Sequence, residues 1–223
     1  MAEIKTQDFT AASKAAINNP NLRRALDRVA SGFEVARLDR VAEATPKVWE
    51  RWKQEARDIK AHTIEHLDYY LELLYTNVTA AGGHLHFAKD AAQANEIVAH
   101  IARTRNVKIA TKSKSMVSEE LGLNPILEAV GVEVWETDLG EYIIQLAEET
   151  PSHLVAPALH KSKEDVAELF SEKLGIPYDE DIFHMAATAR EVLRDKFMEA
   201  DLGISGGKQG EGNNGCSISP GRR

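Results

Sequence analysis

Apolar residues recur every three or four positions through the first eighty residues of the chain, the period of an amphipathic helix. The run DFTAASKAAINN ends at Asn19-Pro20, a helix stop. The run NLRRALDRVASGFEVARLDRVAEA then places Leu22, Leu26, Val29, Phe33 and Leu38 on roughly one face. Thr45-Pro46 predicts a new start, with Thr45 as N-cap and Pro46 at the first helical position, where an N–H is not needed. From there one apolar stripe runs through Trp49, Trp52, Ile59, Leu67, Leu74 and Val78, and Gly82-Gly83 ends it. Residues 1–81 therefore read as a helical N-terminal arm.

After Gly83 short apolar runs alternate with helical periods. The pattern predicts strands at 84–88, 107–111, 132–136, 153–156 and 202–205. It predicts helices at 90–105, 116–130 (interrupted near Gly122 and Pro125), 142–148, 163–174 and 180–200. Asp138 with Glu141, and Ser162 with Asp165, have the spacing of a capping box, Asp standing in for Glu in the second. Strands alternating with helices imply right-handed crossovers, hence an α/β domain over 82–205 with a mostly parallel sheet and helices on both faces. From Gly206 the chain turns glycine-rich and aperiodic, GGKQGEGNNGCSISPGRR, which predicts a disordered tail over 206–223. This break falls directly after a strand, so the domain reads as incomplete at its C-terminus, with a foreign or frame-shifted tail.

Composition narrows the function classes. The 43% hydrophobic and 28% charged residues fit a globular domain, and the formal net charge of -8 argues against nucleic acid as the main partner. No apolar run is long enough to span a bilayer, and the N-terminus lacks the apolar centre of a secretory signal, so a cytoplasmic location is predicted. The single cysteine, Cys216, can neither close an internal disulfide nor supply the four thiolates of an iron–sulfur cluster.

Ligands of open parallel sheets collect at the carboxyl ends of the strands. Three segments fall there. Lys112, Ser113, Lys114 and Ser115 offer ammonium groups, hydroxyls and backbone N–H groups to an anion at the start of the next helix. Asp138 and Glu141 follow the 132–136 strand, and His160 and Lys161 follow the 153–156 strand, forming a candidate rim. The bland alternative is that each is a solvated turn with capping residues. HTIEH, from His62 to His66, matches a metalloprotease pattern, yet it lies beside the apolar stripe and shows no third ligand. His84 and His86 share a strand face, where ordinary partly buried histidines are the alternative to metal ligands. GISGGKQG fails as a phosphate loop, with Leu202 where glycine is required and Gln209 where Ser or Thr is required. No metal site is predicted, and no catalytic residue is assigned.

The blocks GGHLHFAKDAAQANEIV, IATKSKSMVSEELGLN, VEVWETDLGEYIIQLAEETPSHLVAPALHKSKEDVAELF and LRDKFMEADLGISG resemble the N-terminal, LUD-type region of the lactate utilisation protein B family, over nearly all of residues 1–206. That family comprises iron–sulfur subunits of bacterial L-lactate oxidation. The resemblance implies a fold of the NagB/RpiA/CoA-transferase-like type. It also implies a subunit of an L-lactate-oxidising complex, rather than a stand-alone enzyme, acting with sister lactate-utilisation subunits. Electron transfer is expected to run through two [4Fe–4S] clusters carried by a cysteine-rich part of full-length relatives; no cofactor is expected in this chain. The alternative is a small-molecule anion-binding or CoA-transferase-like enzyme domain without iron, which rests on fold analogy alone. A third is an assembly module in which the arm, with Trp49 and Trp52, docks a partner.

Overall fold

The computed structural model describes residues 8–153, 156–207 and 215–220. Four helices form the arm: α1 (Phe9–Ile17), α2 (Pro20–Ala44), α3 (Pro46–Glu65) and α4 (Leu67–Ala80). Asp8 caps α1 and Asn19 caps α2 through their side-chain oxygens, with Pro20 at the first helical position. Thr45 does precede α3, but its side chain makes no capping bond, and its φ of 61° lies outside the extended region of an ordinary N-cap. The long stripe is carried by two helices rather than one, because the backbone bends at His66 (φ -117°, ψ 35°). No residue of α1–α4 is buried.

The α/β part contains α5 (Ala91–Thr104), β1 (Ile109–Lys112), α6 (Met116–Leu121), α7 (Leu123–Glu128), β2 (Glu133–Glu136), α8 (Leu139–Ala147), α9 (Lys163–Leu174), α10 (Ile182–Glu199), β3 (Leu202–Gly207) and β4 (Gly215–Pro220). The sheet order is β2-β1-β3-β4, with β1 parallel to both β2 and β3 and β4 antiparallel to β3. The predicted parallel α/β architecture, with helices on both faces and a helical N-terminal region, is therefore present. One face packs Val98 and Ala102 of α5 and Leu123 and Leu127 of α7 against Ala110, Val134 and Ile204. On the other face Tyr142, Phe170, Met185 and Leu193, from α8, α9 and α10, form a second core with Trp135 beside it. Tyr142 meets Phe170 edge-on, with ring centroids 6.2 Å apart.

Several expectations need correction. Residues 84–88 form no strand. A strand needs a bonded neighbour, and this segment pairs with no strand of the sheet but lies against the end of α4. His84 and His86 are accordingly exposed, and line a shallow hollow of about 240 Å³ with Tyr75 and Thr79. The predicted strand at 153–156 falls partly outside the described residues; Ala156 donates its N–H to His153 Nδ1 at 3.2 Å, a turn contact. The 116–130 helix is broken at Gly122, whose φ of 62° suits glycine, while Pro125 sits in the first turn of α7. The disordered tail expected from Gly206 does not describe Gly206, which lies in β3, or 215–220, which pair with β3. The rest of that tail lies outside the described residues.

Candidate functional site at the strand ends

The parallel register sets Lys112 directly opposite Glu136, the last residues of β1 and β2. Both point to the face covered by α6 and α7. Lys112 is 1% exposed, and its Nζ lies 2.7 Å from Glu136 Oε1, in contact with Glu119 of α6, and 3.2 Å from Ser118 Oγ. Burial alone disfavours the charged lysine, but the neighbouring Glu136 and Glu119 carboxylates outweigh it and hold the ammonium above its ordinary range. Burial pushes the Glu136 carboxyl upward, against the charge of Lys112. Asn124 Nδ2 donates to Glu136 Oε1 at 2.8 Å. Lys112 is thus buried among Glu119, Glu136 and Ser118 rather than open to solvent.

The rest of the first segment surrounds this pair. Ser113 N–H donates to Ile204 O of β3 at 2.9 Å. Lys114 Nζ reaches Glu141 Oε1 at 2.8 Å, the lysine part-exposed and the glutamate buried. Ser115 is buried and caps α6 by accepting from Ser118 N–H at 3.2 Å. β3 passes so close that a Cβ at Gly206 would sit 3.0 Å from Ser115 Oγ, so a side chain there would crowd the cap. Asp138 Oδ2 accepts from Glu141 N–H at 3.3 Å and caps α8. Only half of that predicted capping box forms, because the Glu141 side chain goes to Lys114 instead. The Ser162/Asp165 box forms in full.

His160 and Lys161 make a separate group around Glu149. His160 Nε2 lies 2.8 Å from Glu149 Oε2, and Lys161 Nζ contacts the other oxygen. Against a burial effect that raises it, hydrogen bonds from His160 and Lys161 hold Glu149 below the ordinary carboxylate range. His160 Nδ1 is buried without a partner among the described residues. The structure therefore brings Lys114, Ser115, Asp138 and Glu141 together around the Lys112 pair, and gives His160 and Lys161 a different carboxylate. Each candidate cation already has an acidic partner.

Sequence reasoning missed Glu119, Glu136, Asn124 and Glu149. Glu136 left a trace: it shares strand parity with the buried Val132 and Val134, a polar residue on an apolar face. His62 and His66 stack with ring centroids 4.3 Å apart, and no group of three or more His, Cys, Asp or Glu able to hold a metal occurs among the described residues. Nor does any described helix have the length and apolarity to cross a membrane.

A family model described as LUD domain matches residues 71–215, more than half of the chain. The chain belongs to the LUD domain family. The match begins inside α4 and runs past Gly206, beyond the last of the blocks that carry the resemblance. The chain is similar to lactate utilization protein B of Macrococcus caseolyticus (strain JCSC5402), with 49% identity over 159 residues, 71% of this chain and 33% of that protein. Lactate utilization protein B of Geobacillus thermodenitrificans (strain NG80-2) is 50% identical over 159 residues, again 71% of this chain and 33% of the relative. That of Bacillus licheniformis is 42% identical over 205 residues, 92% of this chain and 43% of the relative. The matched region thus spans between a third and somewhat under half of the length of these curated relatives. No solved structure matches the chain.

Proposed function

We propose that this chain is the LUD-domain part of an L-lactate utilisation protein, working with sister subunits in the oxidation of L-lactate to pyruvate. The observation that carries this reading is its 42–50% identity to relatives named lactate utilization protein B. The iron–sulfur clusters implied by the family resemblance do not fit the donors present. One cysteine stands against the four thiolates a [4Fe–4S] cluster takes, so no step is assigned to iron in this chain. Electron transfer belongs, in this proposal, to other parts of the system. Interrupting the coding segment in its host should impair growth on L-lactate as sole carbon source. Undiminished growth, with no sister subunit co-purifying with the chain, would overturn the proposal.

Within this role, the 112–115 segment faces a small carboxylate such as lactate, with Lys114 as its working cation. Lys114 is part-exposed and already holds a carboxylate, Glu141, at 2.8 Å. A ligand carboxylate joins Glu141 at Nζ, whose three N–H donors can serve more than one acceptor. Ser113 and Ser115 stand on either side, and Asp138, His160 and Lys161 belong to the rim of the proposal. Lys114→Ala should weaken L-lactate binding by about tenfold or more in a calorimetric titration of the full chain. An unchanged titration would remove Lys114 from the site.

A further inference from the structure

The charges around Lys112 do not balance. One ammonium meets two carboxylates, those of Glu119 and Glu136. In the same space Glu136 Oε2 and Asn124 Oδ1, two acceptors, are buried with no donor among the described residues. The Glu136 side chain is 4% exposed, and an ionised carboxylate buried with one bare oxygen is a costly arrangement. Nearby donors are committed elsewhere. Lys112 Nζ serves Glu119, Glu136 Oε1 and Ser118 Oγ, and the Ser118 hydroxyl donates to Ser115 O at 2.9 Å. Asn124 Nδ2 reaches Glu136 Oε1, not Oε2. The Gln145 side chain of α8 is occupied by the β2 backbone.

We propose that Glu136 is a proton-binding site, held as a neutral carboxylic acid with its proton on Oε2 and paired with the side-chain amide of Asn124. Nδ2–H to Oε1 is one half of an acid–amide ring; Oε2–H to Oδ1 is the other, and it satisfies both orphaned atoms. Lys112 then balances Glu119 alone, and the cluster carries no net charge. Release of the proton leaves a buried negative charge beneath α6 and α7, at the root of the 112–115 segment. The groups acting on Glu136 are Lys112 from β1, Glu119 from α6 and Asn124 from α7, with Gln145 of α8 on its backbone N–H; Ser118 of α6 meets Lys112.

Burial acts in the same direction, raising Glu136 from its ordinary 4.5. The folded chain then binds this proton more tightly than the unfolded chain does. Its contribution to stability is present in full below 4.5 and is lost as pH rises through the folded value. His184, raised from 6.5 chiefly by its hydrogen bond to Asp179, has the same sign, but it is exposed and lies outside the cluster. Comparison with Glu136→Gln separates the two.

Infrared spectroscopy of the full chain, with and without ¹³C-labelled glutamate, tests the proposal at neutral pH. A carboxylic-acid C=O band that moves with the label is expected in the wild type and in Glu119→Gln, and should be lost in Glu136→Gln. Asn124→Ala should shift the band, since the acid loses its amide partner. Urea unfolding across pH should show that Glu136→Gln removes part of the stability decline above 4.5. Absence of the band from the wild type would overturn the proposal. So would its persistence in Glu136→Gln, or an unshifted band in Asn124→Ala should Glu136→Gln fail to fold.

Discussion

In sequence Lys112 and Lys114 are equivalent, two lysines flanking a serine in one basic turn. In the fold their side chains are 1% and 23% exposed, and they point to different carboxylates. A lysine taken out of water is tolerated only when paired, and removing one member of a buried pair leaves the other uncompensated. Lys112→Met should therefore destabilise the protein by about 3 kcal/mol in urea unfolding, the lower end of what breaking a buried ion pair costs. Lys114→Met should cause the smaller loss, and equal losses would contradict the difference in environment. The basic turn was legible as a strand-end feature. Its ion pairing was not, because Glu119 belongs to the following helix and Glu136 to the neighbouring strand.

Gln145 illustrates the element scale. It interrupts the apolar face of α8, accepts from Glu136 N–H at 3.0 Å and donates to Val134 O at 2.7 Å. Its amide imitates one peptide unit of a further strand and covers part of the outer edge of β2, where unpaired backbone groups would recruit another chain. Gln145→Ala should cost about 1–2 kcal/mol and promote concentration-dependent association, measured by thermal unfolding and light scattering. Monodisperse behaviour at unchanged stability would show that the edge is protected otherwise. Helices such as α9, with its complete Ser162/Asp165 capping box and αL Gly175, were legible because their signals lie within one or two turns of chain. Alternation at 84–88 makes no strand, because alternating side chains describe a strand only where the segment lies along a sheet edge, and this one lies against the end of α4.

For the whole molecule, the division is between the sheet with its two packed faces and the arm. Phe33 is 64% exposed, Trp52 48% and Ile59 55%, although each lies in an amphipathic helix. Stability comes chiefly from apolar surface removed from water, and the arm contributes no buried residue to either core. Removing residues 1–65, which precede α4, should leave cooperative urea unfolding of the remaining chain nearly unchanged. A large fall in midpoint would mean that the arm supports the sheet. The family match, which starts at residue 71, takes in part of α4, the last helix of the arm.

The sequence by itself determined what is local: helix periods, most of the caps, the alternation that makes a parallel α/β fold, and the blocks that carry the family. Tertiary structure decided what depends on neighbours distant along the chain. It placed β3 beside β1, gave Lys112 to Glu136 by strand register, and buried Oε2 of Glu136 and Oδ1 of Asn124 with no partner among the described residues. The physical reason is one of range. Backbone hydrogen bonding and capping act within a few residues, whereas desolvation and charge pairing depend on everything that packs around a group.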